Sequence, residues 1–142
     1  MHFFPATPAH APLLAPMNHR LIRDEGHSNP MTIPQLEARM HAFLTTGGYQ
    51  ALLFYLQEND PIPLGYALYK HEPDHLYLRQ FFIEPAHRRH GHGKRAMHHL
   101  LTNIWQNQKR LRVSCLTRNP TGLAFWHAMG FQDYSLTMER TP

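Results

Sequence analysis

The chain has 142 residues, of which 42% are hydrophobic and 11% aromatic, so the composition excludes a disordered chain. The length predicts a single domain over residues 1–142. Cys115 is the only cysteine, which excludes an intramolecular disulfide and favours a reducing, cytoplasmic location. The formal net charge is +4, and because no apolar run approaches about 18 residues we expect no membrane span.

The first half of the chain predicts one strand, two helices and then three strands. In chain order these are a strand at 3–4, a helix within 10–23, a helix from 33 to the Gly47-Gly48 pair, and strands at 49–56, 64–70 and 76–83. Prolines make the first helix broken or late in starting. A capping box, Thr32 to Gln35, predicts where the second helix begins.

Leu76–Ile83 is apolar on both alternating faces, which is typical of a central strand covered on both sides. Arg79 and Gln80 are its polar exceptions. Pro85 ends the strand, and a basic glycine-containing turn leads into a helix that reaches Trp105.

The remaining elements are predicted as a strand, a helix and a last strand. Leu111 to Leu116 alternates in polarity, Asn119-Pro120 begins the helix and Gly130 ends it. Phe131 to Glu139 is predicted as a final strand, with Tyr134 and two other apolar side chains on one face. Hairpins supply antiparallel pairs and the later helices act as crossovers, so we expect one α/β domain with a mixed sheet.

The turn between Ile83 and the third helix has the chemistry of a phosphate site. The first amides of a helix lack partners and favour an anion, and Gly91 and Gly93 let a bulky anion approach the backbone. Four cations surround them: Arg88, Arg89, Lys94 and Arg95. The turn is therefore predicted to bind a pyrophosphate. The alternative is a basic surface turn whose glycines only allow the backbone to turn tightly. Because the basic cluster is local, a phosphorylated small ligand is favoured over nucleic acid.

The pattern R-x-x-G-x-G, formed by Arg88, Gly91 and Gly93, resembles the coenzyme A pyrophosphate loop of the GNAT superfamily of acyl-CoA-dependent N-acetyltransferases. Asn119 to Phe131 resembles the same family's later helix, which ends in Gly-Phe. The resemblance implies a GNAT-like α/β fold, with a mixed, mostly antiparallel central sheet and helices on both faces. It also implies that an acetyl group moves from acetyl-CoA to a primary amine of a small molecule, amino acid or peptide.

By the same resemblance, the pantetheine arm lies beside the Phe81–Ile83 backbone like an added strand, and the next strand splays away to leave room. Asn119 would hydrogen-bond this arm; its alternative role is to cap the following helix. The residues predicted to contact coenzyme A are Phe81, Phe82, Ile83, Arg88, Arg89, His90, Gly91, His92, Gly93, Lys94, Arg95, Asn119 and Trp126.

Trp126 stands where many family members carry a tyrosine that protonates the coenzyme A thiolate. An indole N–H can hydrogen-bond the sulfur but cannot act as an acid. Tyr134, Tyr77 or Cys115 could replace it, and Tyr134 is taken as the catalytic candidate. Glu84, at the end of the central strand, is the candidate base; its alternative is a solvent-facing turn residue.

Two further residues are predicted to bind the acceptor. Glu25 could attract a cationic amine, although a solvated polar loop is the alternative. Arg79, if buried, needs a carboxylate: either Glu25 or an acidic group on the acceptor, which would make the substrate zwitterionic.

The thirteen histidines show no zinc-ligand spacing, so no metal is predicted. Two other functions stay open: a non-catalytic acyl-CoA-binding domain, suggested by Trp126, and a nucleic-acid-binding module, suggested by the charge. A homodimer is also possible.

Overall fold

The computed structural model describes residues 1–108 and 110–142. Its helices and strands, in chain order, are β1 (His2–Pro5), α1 (Ala11–Asp24), α2 (Ile33–Thr45), β2 (Tyr49–Tyr55), β3 (Gly65–His71), β4 (Leu76–Ile83), α3 (His92–His99), β5 (Leu111–Val113) and α4 (Pro120–Ala128). A π-helical segment, Leu100–Ile104, continues α3. No helix in the described part of the chain is long and apolar enough to cross a membrane.

The five strands form one sheet in the order β1-β2-β3-β4-β5. The first three pairings are antiparallel, and only β4 and β5 run parallel. Different connections join the antiparallel strands. The helices α1 and α2 connect β1 to β2, and a turn connects β2 to β3. The α3 crossover returns the chain parallel to β4. The predicted mixed, mostly antiparallel sheet is confirmed.

Helices cover both faces of the sheet, and each face has its own apolar core. On one face, α1 and α2 pack their buried residues against the sheet around Tyr66 and Phe82. On the other face, α3 and its π-helical continuation pack against Leu76 and Leu78, and α4 adds partly buried aromatic rings. Phe81 and Phe82, adjacent in β4, therefore serve opposite cores, as a strand with two covered faces requires.

The predicted helix starts are confirmed. Thr32 Oγ1 accepts a hydrogen bond from the Gln35 amide, and the Gln35 side chain accepts one from the Thr32 amide, so the capping box fixes the start of α2. The first helix begins late, at Ala11, because a 3₁₀ turn over Pro8–His10 precedes it.

The predicted final strand is wrong. Residues 131–142 form no helix or strand, and the alternating side chains of Tyr134, Leu136 and Met138 are 68%, 64% and 82% exposed. Alternation shows that a segment could pair, but pairing also needs a neighbouring strand in register. The β5 strand is also shorter than predicted, at three residues, and offers little edge to pair with.

Candidate active site

A gap opens between β4 and β5 because the two strands pair over only three residues. The pairing begins at Leu76 with Leu111 and ends at Leu78 with Val113. Immediately afterwards β4 carries a bulge: Leu78 faces Tyr69 and Gln80 faces Leu68, so Arg79 is the extra residue. Bulges bend a strand and end its pairing. Among the described residues no strand pairs with Phe81–Ile83 on the β5 side, as the predicted splay requires, although Arg112 and Val113 at the start of β5 are still paired with β4.

The start of α3 lies at the open end of this gap. Gly91 is the N-cap residue with φ +77°, and a Cβ placed on it would meet no atom within 4 Å. The first helical amides, from His92 to Lys94, have no acceptor within the helix because the first such bond is Arg95 N–H to Gly91 O at 3.1 Å. An anion can therefore reach these donors, and the turn fits a diphosphate.

Gly93 is needed for a different reason. A Cβ placed there would lie 3.2 Å from Cε1 of Phe125 and 3.7 Å from Cε1 of Phe81. Phe125 and Phe81 themselves stack with ring centres 5.8 Å apart. The missing side chain of Gly93 lets α3, α4 and β4 approach one another beneath the turn.

The four cations of the turn are all exposed, and two of them, Arg88 and Arg95, make hydrogen bonds within the chain. Arg88 donates from Nε to the Ile83 carbonyl at 2.8 Å and from a terminal nitrogen to Asp24 at 2.5 Å, so it braces the turn. Arg89, Lys94 and Arg95 are exposed. Arg95 also donates from a terminal nitrogen to the His90 carbonyl at 3.3 Å. The predicted phosphate contacts of Arg89, Lys94 and Arg95 stay predictions.

His90 and His92 stack beside the turn with ring centres 5.9 Å apart. The pKa of His92 is lowered by burial first and then by the charge of Arg95. A neutral ring at this position leaves the helix N-terminus without an extra cation at neutral pH. Among the described residues, no group of three or more His, Cys, Asp or Glu side chains could hold a metal ion.

Asn119 performs the capping role. Its Oδ1 accepts from the Gly122 amide at 3.1 Å, and a Cβ on Gly122 would lie 2.4 Å from Asn119 Nδ2. The absence of a side chain at Gly122 thus makes room for the cap. Asn119 Nδ2 makes no hydrogen bond within the described chain, so the predicted contact with the pantetheine arm stays open to it.

Trp126 packs in an aromatic cluster on the α4 side of the gap. Its ring lies edge-on to Phe81, Phe125 and Phe131, with centroid distances of 5.6, 4.9 and 5.3 Å. The side chain is half-buried, so it forms part of the wall of the gap. Its chemistry is that of a rigid apolar surface with one N–H donor.

Residues 19–131 match the model of the Acetyltransferase (GNAT) family. The chain belongs to this family. Its members use acetyl-CoA, and the loop and gap described above lie inside the matched range. No curated protein matches the sequence.

Solved structures of GNAT-like proteins share the fold across nearly the whole chain. An acetyltransferase from Thermus thermophilus is 24% identical, with a TM-score of 0.75 over 92% of this chain and 86% of that one. A predicted acetyltransferase from Clostridium acetobutylicum, solved with acetyl-CoA, is 16% identical, with a TM-score of 0.74 over 99% and 95%. A ribosomal-protein-alanine N-acetyltransferase from Brucella melitensis biovar Abortus 2308 is 14% identical, with a TM-score of 0.73 over 99% and 100%. At these identities the likeness shows the fold.

The two predicted catalytic residues of this GNAT protein lie in unfavourable surroundings. Glu84 forms an ion pair with Arg20 of α1, so its carboxylate already has a cation as partner. Tyr134 is 68% exposed, and its hydroxyl accepts from Arg112 at 3.0 Å, beside the paired start of β5. Arg112 faces Tyr77, five residues before Phe82, which is about 16 Å along a strand. The structure does not bring Tyr134 to the gap.

Glu25 lies between two residues that are held by contacts with distant parts of the chain. Asp24 before it is held by Arg88, and the carbonyl of Gly26 after it accepts from Arg118 at 2.7 Å. Arg88 belongs to the turn between β4 and α3, called the phosphate turn below after its predicted ligand, and Arg118 follows β5. The residues flanking Glu25 are therefore attached to both sides of the gap.

The surroundings of Glu25 change its acidity. Burial, and then the neighbouring charge of Asp24, raise the pKa of Glu25 from 4.5 to about 7. The Glu25 carboxylate in turn adds to the raised pKa of Cys115 and of the buried Tyr66, for both of which burial is the larger cause. Cys115 follows β5, and Tyr66 pairs with Phe82 of β4.

Arg79 is exposed, not buried, and makes no ion pair with Glu25 or with any other described carboxylate. The expectation of a buried Arg79 with a carboxylate partner is wrong, because the bulge turns this side chain toward Phe43 of α2.

The sequence did not single out Arg20, Arg39 and Arg118. Single basic residues on predicted helices and loops carry no signal of a distant contact.

Proposed function

We propose that this protein transfers the acetyl group of acetyl-CoA to a primary amine. The observation that carries the proposal is the gap between β4 and β5, which leads to the uncovered start of α3. An unpaired strand edge suits an extended amide-containing arm, and a helix N-terminus suits a diphosphate, so the two features fit the two parts of one ligand. The name of the Brucella neighbour supports an amine as the acceptor class.

The chain holds coenzyme A at three places in this proposal. The amides of His92 to Lys94 bind the diphosphate, with Arg89, Lys94 and Arg95 adding positive charge. The free edge of Phe81–Ile83 binds the pantetheine arm from one side, and Asn119 Nδ2 donates to it from the other. The aromatic wall at Trp126 covers the apolar part of the arm and excludes water.

When bound, the thioester supplies an activated acetyl group. A backbone N–H on the free edge of Phe81–Ile83 donates to its carbonyl oxygen, where negative charge develops as the amine attacks. A backbone donor in a packed strand keeps its position, so little reorganisation is needed. The β4 strand is fixed by β3 on its other edge and by cores on both faces.

Glu25 accepts the proton that a primary ammonium must lose before it attacks. With a pKa of about 7, its carboxylate is largely ionised just above neutrality and still basic enough to take a proton. The amine lone pair then forms the C–N bond, the C–S bond breaks, and its electron pair leaves on sulfur. The second N–H proton passes to that sulfur through water, and Glu25 returns its proton to solvent.

Binding and turnover test the proposal separately. Acetyl-CoA should raise the melting temperature, and the rise should follow the logarithm of ligand concentration once sites are saturated. Free thiol should then appear with at least one member of a panel of small amines, amino acids and alanine-headed peptides. No thermal shift at millimolar acetyl-CoA would exclude the function.

A non-catalytic acyl-CoA-binding domain is the second candidate. Trp126 stands where many family members carry a tyrosine that protonates the thiolate, and an indole N–H cannot act as an acid. Acetyl-CoA would stabilise such a protein without any amine releasing thiol. A Trp126→Tyr variant separates the two: an enzyme that lacks only its acid should gain rate, whereas a binding domain should stay inactive.

A further inference from the structure

Two arginines share one aromatic ring beside the bulge of β4. The guanidinium carbon of Arg79 lies 4.8 Å from the centre of the Phe43 ring, and that of Arg39 lies 5.3 Å from it. Arg79 also lies 5.8 Å from the ring of Tyr49 and donates to its hydroxyl at 3.4 Å. Both guanidinium carbons therefore lie within 5.3 Å of the centre of one ring.

Neither arginine has an acidic partner. Ion pairs among the described residues involve neither Arg39 nor Arg79, although every Asp and Glu of the chain is among those residues. The Nε of Arg39 is buried without a hydrogen-bond partner. The pKa of Arg39 is lowered by burial first and then by the charge of Arg79. By contrast the nearby Lys70, over Tyr49, has Glu72 at 3.9 Å.

The arginine pair lies beside the point at which β4 and β5 part. Arg79 is the bulge residue at which β4 and β5 part, and Gln80 follows it. Gln80 accepts a hydrogen bond from the buried Tyr66 hydroxyl at 2.7 Å, and that hydroxyl is influenced by the charges of both Glu25 and Arg39. The arginine pair therefore lies beside the bulge at which β4 and β5 part, next to the Phe43 ring of α2.

We propose that Arg39 and Arg79 bind a negatively charged group on the acceptor, a carboxylate in the first place, so that the substrate is an amine that also carries an anion. The inference rests on the proposed acetyl transfer and names its substrate class. The acceptor ammonium faces Glu25, and its carboxylate faces the two guanidinium groups.

The arginines keep N–H donors available for an anion. Among the described residues Arg79 makes one side-chain hydrogen bond, to the Tyr49 hydroxyl, and the Nε of Arg39 has no partner. A guanidinium group has five N–H donors, so others remain for a carboxylate. Two such groups on one ring can share one carboxylate through charge-assisted hydrogen bonds. A purely structural role would need only the stacking, and would be indifferent to the charge of the acceptor.

The test compares acceptors with and without an anionic group: 4-aminobutyrate and its amide, glycine and glycinamide, and aminomethylphosphonate as a phosphonate-bearing amine. The wild-type protein should acetylate the carboxylates with a kcat/KM roughly 10- to 100-fold above the amides, as expected for a charge-assisted pair. Arg79→Gln and Arg39→Gln should remove that preference. Arg79→Lys should keep part of it. If the phosphonate alone is preferred, a carboxylate acceptor is excluded.

Arg140→Gln, the same change at an exposed site in the C-terminal segment, is the matched control and should keep the full preference. Calorimetric titration of each acid and amide into the protein saturated with coenzyme A gives a second reading that needs no turnover. Equal kcat/KM and equal affinity for acid and amide would overturn the inference while leaving acetyl transfer intact. If acetyl-CoA did not raise the melting temperature of the wild-type protein, the proposed function would be overturned, and the inference with it.

Discussion

Arg88 joins Asp24 across the mouth of the gap: a terminal N–H of its guanidinium donates to Asp24 Oδ2 at 2.5 Å. The Nε–H of the same group donates to the Ile83 carbonyl. One side chain thus connects the end of α1, the end of β4 and the phosphate turn. The position of Glu25, next to Asp24, depends on this contact.

Breaking the Arg88–Asp24 pair should loosen the turn more than it destabilises the protein. The two side chains are 40% and 34% exposed, so a double-mutant cycle of Arg88→Gln and Asp24→Asn should give a coupling of about 0.5 kcal/mol in the free energy of unfolding. The coupling should shrink in high salt. Acetyl-CoA affinity, measured by thermal shift, should fall in Arg88→Gln and not in Arg140→Gln. A coupling above about 2 kcal/mol would mean that the pair is a major stabilising contact.

Glu25→Gln should slow turnover and remove an acidic limb from the pH profile. Glu25 works as a carboxylate, so kcat/KM of the wild type should rise with pH through about 7. The variant should lose that limb of the profile, and its rate should fall about 10²- to 10⁴-fold, because an amide accepts no proton. Glu58→Gln, an exposed change in the β2–β3 turn, is the control. A Glu25→Gln profile that still rises through 7 would assign the limb to another group.

The same substitution should stabilise the folded protein at alkaline pH. The pKa of Glu25 is raised on folding, so its stabilising contribution is full below about 4.5 and is lost as pH rises through about 7. Because 30% of the Glu25 side chain remains in water, solvent screening reduces the effect of this pKa shift on stability. Glu25→Gln should therefore be about 1–2 kcal/mol more stable than the wild type at pH 8. Urea unfolding at pH 8 and pH 4.5 measures this, and a variant less stable at pH 8 would contradict it.

The two glycines of the turn should respond differently to alanine. Gly91→Ala should cost about 1 kcal/mol through its φ of +77°, because an L-residue resists that conformation, yet its Cβ meets nothing. Gly93→Ala places a methyl group 3.2 Å from Phe125, so it should disturb the packing of α4. Near-ultraviolet circular dichroism should change for Gly93→Ala and stay unchanged for Gly91→Ala. Equal spectra would show that Phe125 moves aside freely.

His99 should make the protein less stable in acid. Its ring stacks on Phe3 with centres 3.7 Å apart, and burial lowers its pKa below 6.5. The neutral ring is therefore preferred in the folded state, and stability should be full above 6.5 and fall as pH drops through the lowered value. His99→Leu, compared with the wild type by urea unfolding at pH 7.5 and 5, should show a smaller loss. His98→Leu, at the exposed neighbouring position, should behave like the wild type.

The order of the elements up to α4 could be predicted from local signals. Prolines delayed α1, a capping box began α2, and two apolar faces marked β4 as covered on both sides. Those signals arise within a few residues, so no other part of the chain was needed. The final strand failed because its alternation is equally local, whereas its pairing depends on an edge that β5 provides over only three residues.

The phosphate turn and the capping role of Asn119 could be inferred from the residue pattern alone, because helix N-termini, glycines and caps act on their immediate neighbours. Folding was needed to raise the pKa of Glu25 and to bring Arg39 and Arg79 to one aromatic ring. Glu25 acquires its basicity from burial and from Asp24, and Arg39 meets Arg79 across a ring, through contacts between α1, α2 and β4. Acidity and charge pairing depend on distance in space, and distance in space is what a linear pattern of residues does not record.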